Sequence, residues 1–267
     1  MAQFGAPLLF ALILWWVSTG AILWLVRRPR ESFRLSLLVY SAVAGATLAG
    51  LTVAARNTGV SGAYGGFFCA LVIWGWHEMG FLMGVVTGPR RAPCPPDARG
   101  WARFRAAAAT LIHHEIALVL TAVVIVVLTW DAPNQTGTLT FLLLLGMRLS
   151  TKFNIFLGVA NPPNTFLPEP IAYLHSYFRR RRFNALFPLS LALSVGVTWL
   201  LARSALDAEA SGGDAVGYAL LFGLAALGVL EHAFLMTPSP DRALWGWALG
   251  PARKTKTSLA LAGETEQ

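Results

Sequence analysis

Long apolar stretches separated by short polar segments run along nearly the whole chain. A helix needs about 20 mostly apolar residues to cross a bilayer, and seven stretches approach or exceed that length. They are residues 6–26, 35–55, 63–87, 107–130, 137–160, 185–202 and 216–236. These runs are longer than the strands of about ten residues that build membrane barrels. The pattern therefore predicts an all-α integral membrane protein, a bundle of about seven transmembrane helices.

Composition agrees with this prediction. Only 13% of the residues are charged and 55% are hydrophobic, whereas soluble domains carry about 25% charged residues. We expect one polytopic membrane domain over residues 1–250. The small and polar residues near the C-terminus predict a disordered cytoplasmic tail over residues 251–267.

Basic residues are distributed unevenly between the predicted loops. The formal net charge is +8, and seventeen of the 21 basic residues follow predicted spans one, three, five and seven. They are Arg27, Arg28, Arg30, Arg34, Arg90, Arg91, Arg99, Arg103, Arg105, Arg179, Arg180, Arg181, Arg182, Arg242, Arg253, Lys254 and Lys256. The opposite loops hold only Arg56 and Arg203. By the positive-inside rule the N-terminus is outside and the C-terminus is cytoplasmic. This placement indicates membrane topology and not nucleic-acid binding.

All five histidines lie in or beside predicted spans, most of them next to a glutamate. The groups are His77-Glu78, His113-His114-Glu115, Glu231-His232 and, in a loop six residues after Glu169, His175. A charge at membrane depth costs between a few and about ten kcal/mol, so such groups persist where they pair, bind a ligand or line a wet cavity. At about 1.5 Å per residue, the groups lie at the midplane or in the cytoplasmic half. Their shared depth predicts one site.

Several ligands suit this chemistry. Imidazole with carboxylate suits iron or manganese, and the candidate metal ligands are His77, Glu78, His114, Glu115, Glu231 and His232. A haem or bacteriochlorophyll needs only one or two axial histidines, and the candidates for cofactor binding are His77, His113, His114, Glu115 and His232. The chain has no Glu-x-x-His, His-Glu-x-x-His or Cys-x-x-Cys-His spacing, the patterns of di-iron bundles, zinc hydrolases and covalent haem. A hydrogen-bonded network that only locks helices together is an equally good interpretation.

Two basic residues within the fifth stretch bear on this choice. Arg148 and Lys152 are four residues apart and so lie on one helix face. They can neutralise Glu78, Glu115 or Glu231, which is the simpler interpretation, or bind an anionic ligand such as a propionate or phosphate. After this stretch, prolines end the helix, and residues 171–178 predict a short interfacial helix before four arginines. That helix is a candidate lid or docking surface.

Four motifs resemble a known family. Trp-Gly-Trp-His-Glu at 74–78, Ile-His-His-Glu at 112–115, Arg-Leu-Ser-Thr-Lys-Phe-Asn at 148–154 and Asn-Pro-Pro-Asn-Thr-Phe-Leu-Pro at 161–168 are similar to the PuhE-type photosynthetic complex assembly proteins of purple bacteria. The resemblance implies a multi-pass protein of the inner or intracytoplasmic membrane. It also implies an association with reaction-centre gene clusters and with modulation of bacteriochlorophyll production. It supplies no catalytic residues.

Two hypotheses follow for the function. The first is a membrane-embedded assembly or regulatory factor for photosynthetic complexes and bacteriochlorophyll supply, which holds a tetrapyrrole or metal at the His/Glu cluster or docks biosynthetic enzymes there. Its expected partners are membrane lipids and reaction-centre or pigment-biosynthesis proteins, without nucleic acid. The alternative is a membrane metalloenzyme, oxygen- or redox-linked, that acts on a tetrapyrrole or lipid.

Overall fold

The structure, a computed structural model, describes residues 2–162, 167–206, 212–237 and 241–249. Within these ranges the chain is helical and forms no strand. The helices are α1 (Ala2–Leu25), α2 (Phe33–Ala55), α3 (Val60–Leu82), α4 (Gly100–Ala108), α5 (Ile112–Leu128), α6 (Thr136–Leu157), α7 (Leu186–Leu206), α8 (Gly212–Phe234) and α9 (Asp241–Leu249). Short 3₁₀ segments cover Arg30–Ser32 and Glu169–Tyr177. The predicted tail, 251–267, lies outside the described residues.

Five of the described helices are long and apolar enough to cross a membrane. They are α1, α2, α6, α7 and α8, and the bent pair α4 and α5 makes a sixth if it is one span. The all-helical membrane architecture is thus supported, while the count of seven spans and the orientation of the termini stay predictions. Helix α3 is also 23 residues long. It contains the polar pair His77 and Glu78 and lies inside the bundle.

The fourth predicted stretch, 107–130, was expected as one continuous helix, and the structure breaks it. Helix α4 ends at Ala108 and α5 begins at Ile112, with a bend of 63° between them. The cause is competition for backbone hydrogen bonds. The amide of Arg90 donates to the carbonyl of Ala109 at 2.9 Å, and the amide of His114 donates to the carbonyl of Thr87 at 3.0 Å. These bonds to another segment replace bonds that a continuous helix would make.

Helix α3 is the centre of the bundle and contacts α1, α2, α5, α6 and α8. Its closest approach to α6 is backbone to backbone. A Cβ placed on Gly66 would lie 3.1 Å from the nitrogen of Gly137, and one placed on Gly137 would lie 2.9 Å from the carbonyl oxygen of Gly66. Phe67 and Phe141 are completely buried beside this crossing. The two glycines thus allow α6 to present its polar face directly to α3.

Helix α9 extends the bundle along α1. The indole of Trp16 donates to the carbonyl of Leu244 at 2.8 Å, and the indole of Trp245 donates to the carbonyl of Trp16 at 3.2 Å. Trp15 and Trp245 pack edge to face, with ring centroids 5.2 Å apart. These two indole hydrogen bonds, one in each direction, hold α9 against α1.

Candidate functional site

Two ion pairs connect α6 to its neighbours. Arg148 Nη2 donates to Glu78 Oε2 at 3.1 Å, and Lys152 Nζ donates to Glu115 Oε1 at 2.5 Å. Glu78 belongs to α3 and Glu115 to α5, so one face of α6 neutralises carboxylates from two helices. The predicted neutralisation of Glu78 and Glu115 by the basic pair is confirmed.

A third glutamate lies near the same basic pair. Glu231 of α8 is within electrostatic reach of Arg148 and lies near the indole of Trp15. Glu78, Glu115, Arg148, Lys152 and Glu231 are hereafter the ion-pair cluster. The cluster carries three carboxylates and two cations from α3, α5, α6 and α8. The shared depth that the sequence predicted for these helices therefore corresponds to real proximity.

Two buried histidines have hydroxyl partners. His77 Nε2 shares a hydrogen bond of 2.9 Å with Thr121 Oγ1 on α5. His232 Nε2 shares one of 2.9 Å with Ser150 Oγ on α6, and its Nδ1 lies 2.8 Å from the carbonyl oxygen of Gly228. A carbonyl only accepts, so Nδ1 of His232 carries the proton. The Nδ1 bond lies within α8 and orients the ring, and the Nε2 bond joins α8 to α6.

His114 differs from the other buried histidines. It is fully buried, and neither ring nitrogen has a hydrogen-bond partner among the described residues. Its ring stacks on Phe81 with centroids 4.5 Å apart, and Glu78 and Lys152 lie within electrostatic reach. Glu78 Oε1 is likewise buried and has no hydrogen-bond partner among the described residues. Because an unpaired buried polar group costs about 1–3 kcal/mol, His114 is the histidine best placed to receive a ligand.

The remaining candidate histidines lie apart from these groups. His113 is exposed on α5, so His114 is the member of the pair that faces the bundle. His175 is exposed on the 3₁₀ segment Glu169–Tyr177, where its ring packs against Phe178 and partial desolvation lowers its pKa. Glu169 pairs at 2.6 Å with Arg30 at the molecular surface. The loop members of the predicted His/Glu set are therefore not part of the ion-pair cluster.

The predicted ligands fit a metal ion poorly in this arrangement. Within the described ranges, no three side chains of the types His, Cys, Asp and Glu lie close enough together to hold one. The set of metal ligands predicted from the sequence remains a prediction. Among the described residues, its members do not form a group of three that could bind one ion. For a tetrapyrrole, His114 offers unpaired ring nitrogens for an axial bond, and it lines neither of the two apolar grooves described below. The roles of His77, His113, Glu115 and His232 in cofactor binding stay predictions.

Apolar grooves on the bundle lie away from the ion-pair cluster. One of about 410 Å³ runs between α1 and α2 beside Tyr40, and one of about 350 Å³ runs between α7 and α8 beside Trp199. Their linings are almost entirely apolar. They suit hydrocarbon chains better than a polar substrate.

Sequence reasoning did not identify the hydroxyl partners. Thr121 is a single polar residue within an apolar run, whereas Ser150 is one of several polar residues in the segment 148–154. Helical hydroxyls commonly bond their own helix backbone, so neither position indicated a histidine partner. Only their positions opposite His77 and His232 distinguish them. Trp15 likewise gave no sign of its proximity to Glu231.

The fold and site together define a multi-pass helical membrane protein with a buried ion-pair cluster. The chain belongs to the family DUF3623, described as a protein of unknown function, which it matches over residues 1–256. It is also 41% identical over 246 residues to an uncharacterised 30.4 kDa protein in the puhA 5′ region of Rhodobacter capsulatus. That match covers 90% of this chain and 89% of the relative. No solved structure matches the chain.

Proposed function

We propose that the protein is a non-catalytic, membrane-embedded assembly or regulatory factor for bacterial photosynthetic complexes and bacteriochlorophyll supply, of the PuhE type. The observation that carries this proposal is the genomic position of the relative. A protein 41% identical over nine-tenths of this chain is named for the puhA 5′ region, which belongs to a photosynthesis gene cluster. Similarity over nearly the full length supports the same role for both proteins.

The geometry supports a binding or scaffolding role. In the ion-pair cluster, Arg148 and Lys152 partner Glu78 and Glu115 and join three helices. His77 and His232 bond to hydroxyls across helix interfaces. These groups therefore fix the positions of α3, α5, α6 and α8. Such a rigid bundle presents defined lipid-facing surfaces on which another membrane protein can dock.

The expected location and partners follow from this role. The protein resides in the inner or intracytoplasmic membrane, in contact with lipids and with reaction-centre or pigment-biosynthesis proteins. Many large apolar side chains face outward, among them Leu38, Val53, Val127 and Leu193. In a bilayer these surfaces contact lipid or a neighbouring membrane protein.

Deletion of the gene in a phototrophic host tests the proposal. The near-infrared absorbance of isolated membranes measures the assembled pigment–protein complexes. We expect the absorbance to fall in the deletion strain and to return when the wild-type gene is supplied on a plasmid. Normal absorbance in the deletion strain under several light and oxygen regimes would contradict the proposal.

A second candidate function is supported by His114 alone. Its two unpaired buried nitrogens suit an axial ligand of a tetrapyrrole, or one ligand of a metal in a membrane metalloenzyme, oxygen- or redox-linked, acting on a tetrapyrrole or lipid. His114, whose ring stacks on Phe81, would hold such a group, and the group would supply electron-transfer or oxygen chemistry.

Absorption spectra and metal analysis of the purified protein separate the two candidates. The second candidate predicts a Soret band or stoichiometric metal that His114→Leu removes and that His113→Leu, its exposed neighbour, retains. A wild-type protein without pigment or metal, folded and purified from phototrophically grown cells, would eliminate the ligand role of His114 and leave the assembly role in place.

A further inference from the structure

Three arginines from two separate segments converge at the end of the bundle where α6 terminates. Arg103 lies on α4, and Arg179 and Arg181 follow the 3₁₀ segment Glu169–Tyr177. Arg103 donates to the carbonyl of Tyr177, two residues before Arg179, and both Arg179 and Arg181 are within electrostatic reach of Arg103. Because like charges repel, this convergence is unfavourable unless an anion balances it.

The backbone holds Arg179 and Arg181 firmly in place. The amide of Val159 donates to the carbonyl of Arg179 at 3.1 Å, and the amide of Arg181 donates to the carbonyl of Val159 at 3.1 Å. The side chain of Arg181 passes over Gly158, where an added Cβ would lie 2.8 Å from its Cγ. Gly158 has φ +119°, a conformation that side chains rarely adopt. Because Gly158 has no side chain, the aliphatic part of the Arg181 side chain can pack over its backbone.

Arg103 is itself 5% exposed and is held by neutral groups. Its guanidinium donates to the carbonyl of Phe156 at 3.2 Å and to the carbonyl of Tyr177, and it lies 4.3 Å from the ring centroid of Phe156. The thiol of Cys94 is also within hydrogen-bonding reach. Carbonyls carry only partial charge and a thiol is a weak acceptor, so these contacts orient the guanidinium without neutralising it.

No carboxylate in the described part of the chain pairs with these arginines. The ion pairs found there are Arg30 with Glu169, Arg148 with Glu78 and Lys152 with Glu115. A buried charge without a counter-charge is strongly unfavourable. The three guanidinium groups, one of them buried, therefore lie together without a carboxylate partner among the described residues.

We propose that Arg103, Arg179 and Arg181 bind the phosphate of an anionic phospholipid headgroup. The planar guanidinium donates paired hydrogen bonds to phosphate oxygens. The location favours a lipid over a soluble phosphate, because exposed aromatic side chains flank the arginines. Trp101 is 68% exposed and stacks on Phe104 with centroids 5.0 Å apart, and Phe183 is 62% exposed. Such aromatic side chains are typical of the membrane–water interface, where headgroups lie.

Native mass spectrometry of the delipidated full-length protein tests this site. It is titrated with phosphatidylglycerol or with phosphatidylcholine of the same acyl chains. Near a membrane surface each arginine contributes about fivefold in affinity for anionic lipid. We expect phosphatidylglycerol to bind more tightly. The double variant Arg179→Gln/Arg181→Gln should lose about 25-fold of that affinity, with phosphatidylcholine binding unchanged.

Two matched variants and one competitor complete the experiment. Arg56→Gln, exposed after α2, should leave phosphatidylglycerol binding unchanged. Arg179→Lys/Arg181→Lys should recover only part of the lost affinity, because an ammonium group keeps the charge but cannot donate the paired hydrogen bonds. Equal affinity for the two lipids, or an equal loss in Arg56→Gln, would overturn the proposal. Tight binding of inorganic phosphate to the same arginines without any preference for phosphatidylglycerol would assign the site to a soluble anion and overturn the lipid assignment.

Discussion

Arg148 on α6 donates a hydrogen bond of 3.1 Å to Glu78 on α3, a residue 70 positions earlier in the chain. Glu78 is almost completely buried, with 10% of its side chain exposed. At this depth the carboxylate depends on the guanidinium for its charge balance. The pair thus couples the central helix of the bundle to the helix that carries Arg148 and Lys152.

Breaking this pair from one side should destabilise the bundle. In Arg148→Gln the buried carboxylate of Glu78 loses its cation, and the free energy of unfolding should fall by at most about 3–5 kcal/mol. The double variant Glu78→Gln/Arg148→Gln removes both charges and should recover most of that loss. Thermal unfolding of the protein in detergent measures both. A double variant no more stable than Arg148→Gln alone would show that the two side chains do not stabilise each other.

The glycine crossing between α3 and α6 provides a second test with a control on the same helix. Gly137→Ala places a methyl group against the Gly66 backbone, and such overpacking costs about 1–3 kcal/mol. Gly146→Ala adds the same methyl group where no atom lies within 4 Å, so helix propensity should stabilise it by up to about 1 kcal/mol. Equal unfolding temperatures for the two variants would argue against the close helix approach.

Much of the fold could be predicted from the sequence because membrane helices are apolar over a length that the bilayer sets. The break between α4 and α5 could not, since it depends on hydrogen bonds from Arg90 to Ala109 and from His114 to Thr87. Those bonds join segments whose proximity no local pattern reveals.

Part of the site, like part of the fold, could be predicted from the sequence, and part could not. The four-residue spacing of Arg148 and Lys152 predicted one basic face and the neutralisation of glutamates. It did not show which glutamate each cation selects. His113 and His114 were both candidates from the sequence, and only the structure shows that His114 is buried against Phe81 while His113 is exposed. The partners Thr121 and Ser150 required the three-dimensional structure.

Membrane orientation is a prediction that reporter fusions can check. The uneven distribution of basic residues predicts that fusions after Arg182 and at the C-terminus both report the cytoplasm. A fusion after Arg56, in a loop on the opposite side, should report the periplasm and serves as the control. A periplasmic signal after Arg182 would contradict the predicted topology of seven spans with the N-terminus outside.

The assembly role is the central claim, and the rate of complex assembly tests it most directly. Newly synthesised reaction-centre subunits are pulse-labelled in wild-type, deletion and complemented strains, and their entry into pigment-containing complexes is followed over time. The assembly role predicts equal synthesis of the subunits, slower entry into complexes in the deletion strain and a normal rate after complementation. Equal rates of entry in all three strains would contradict the account.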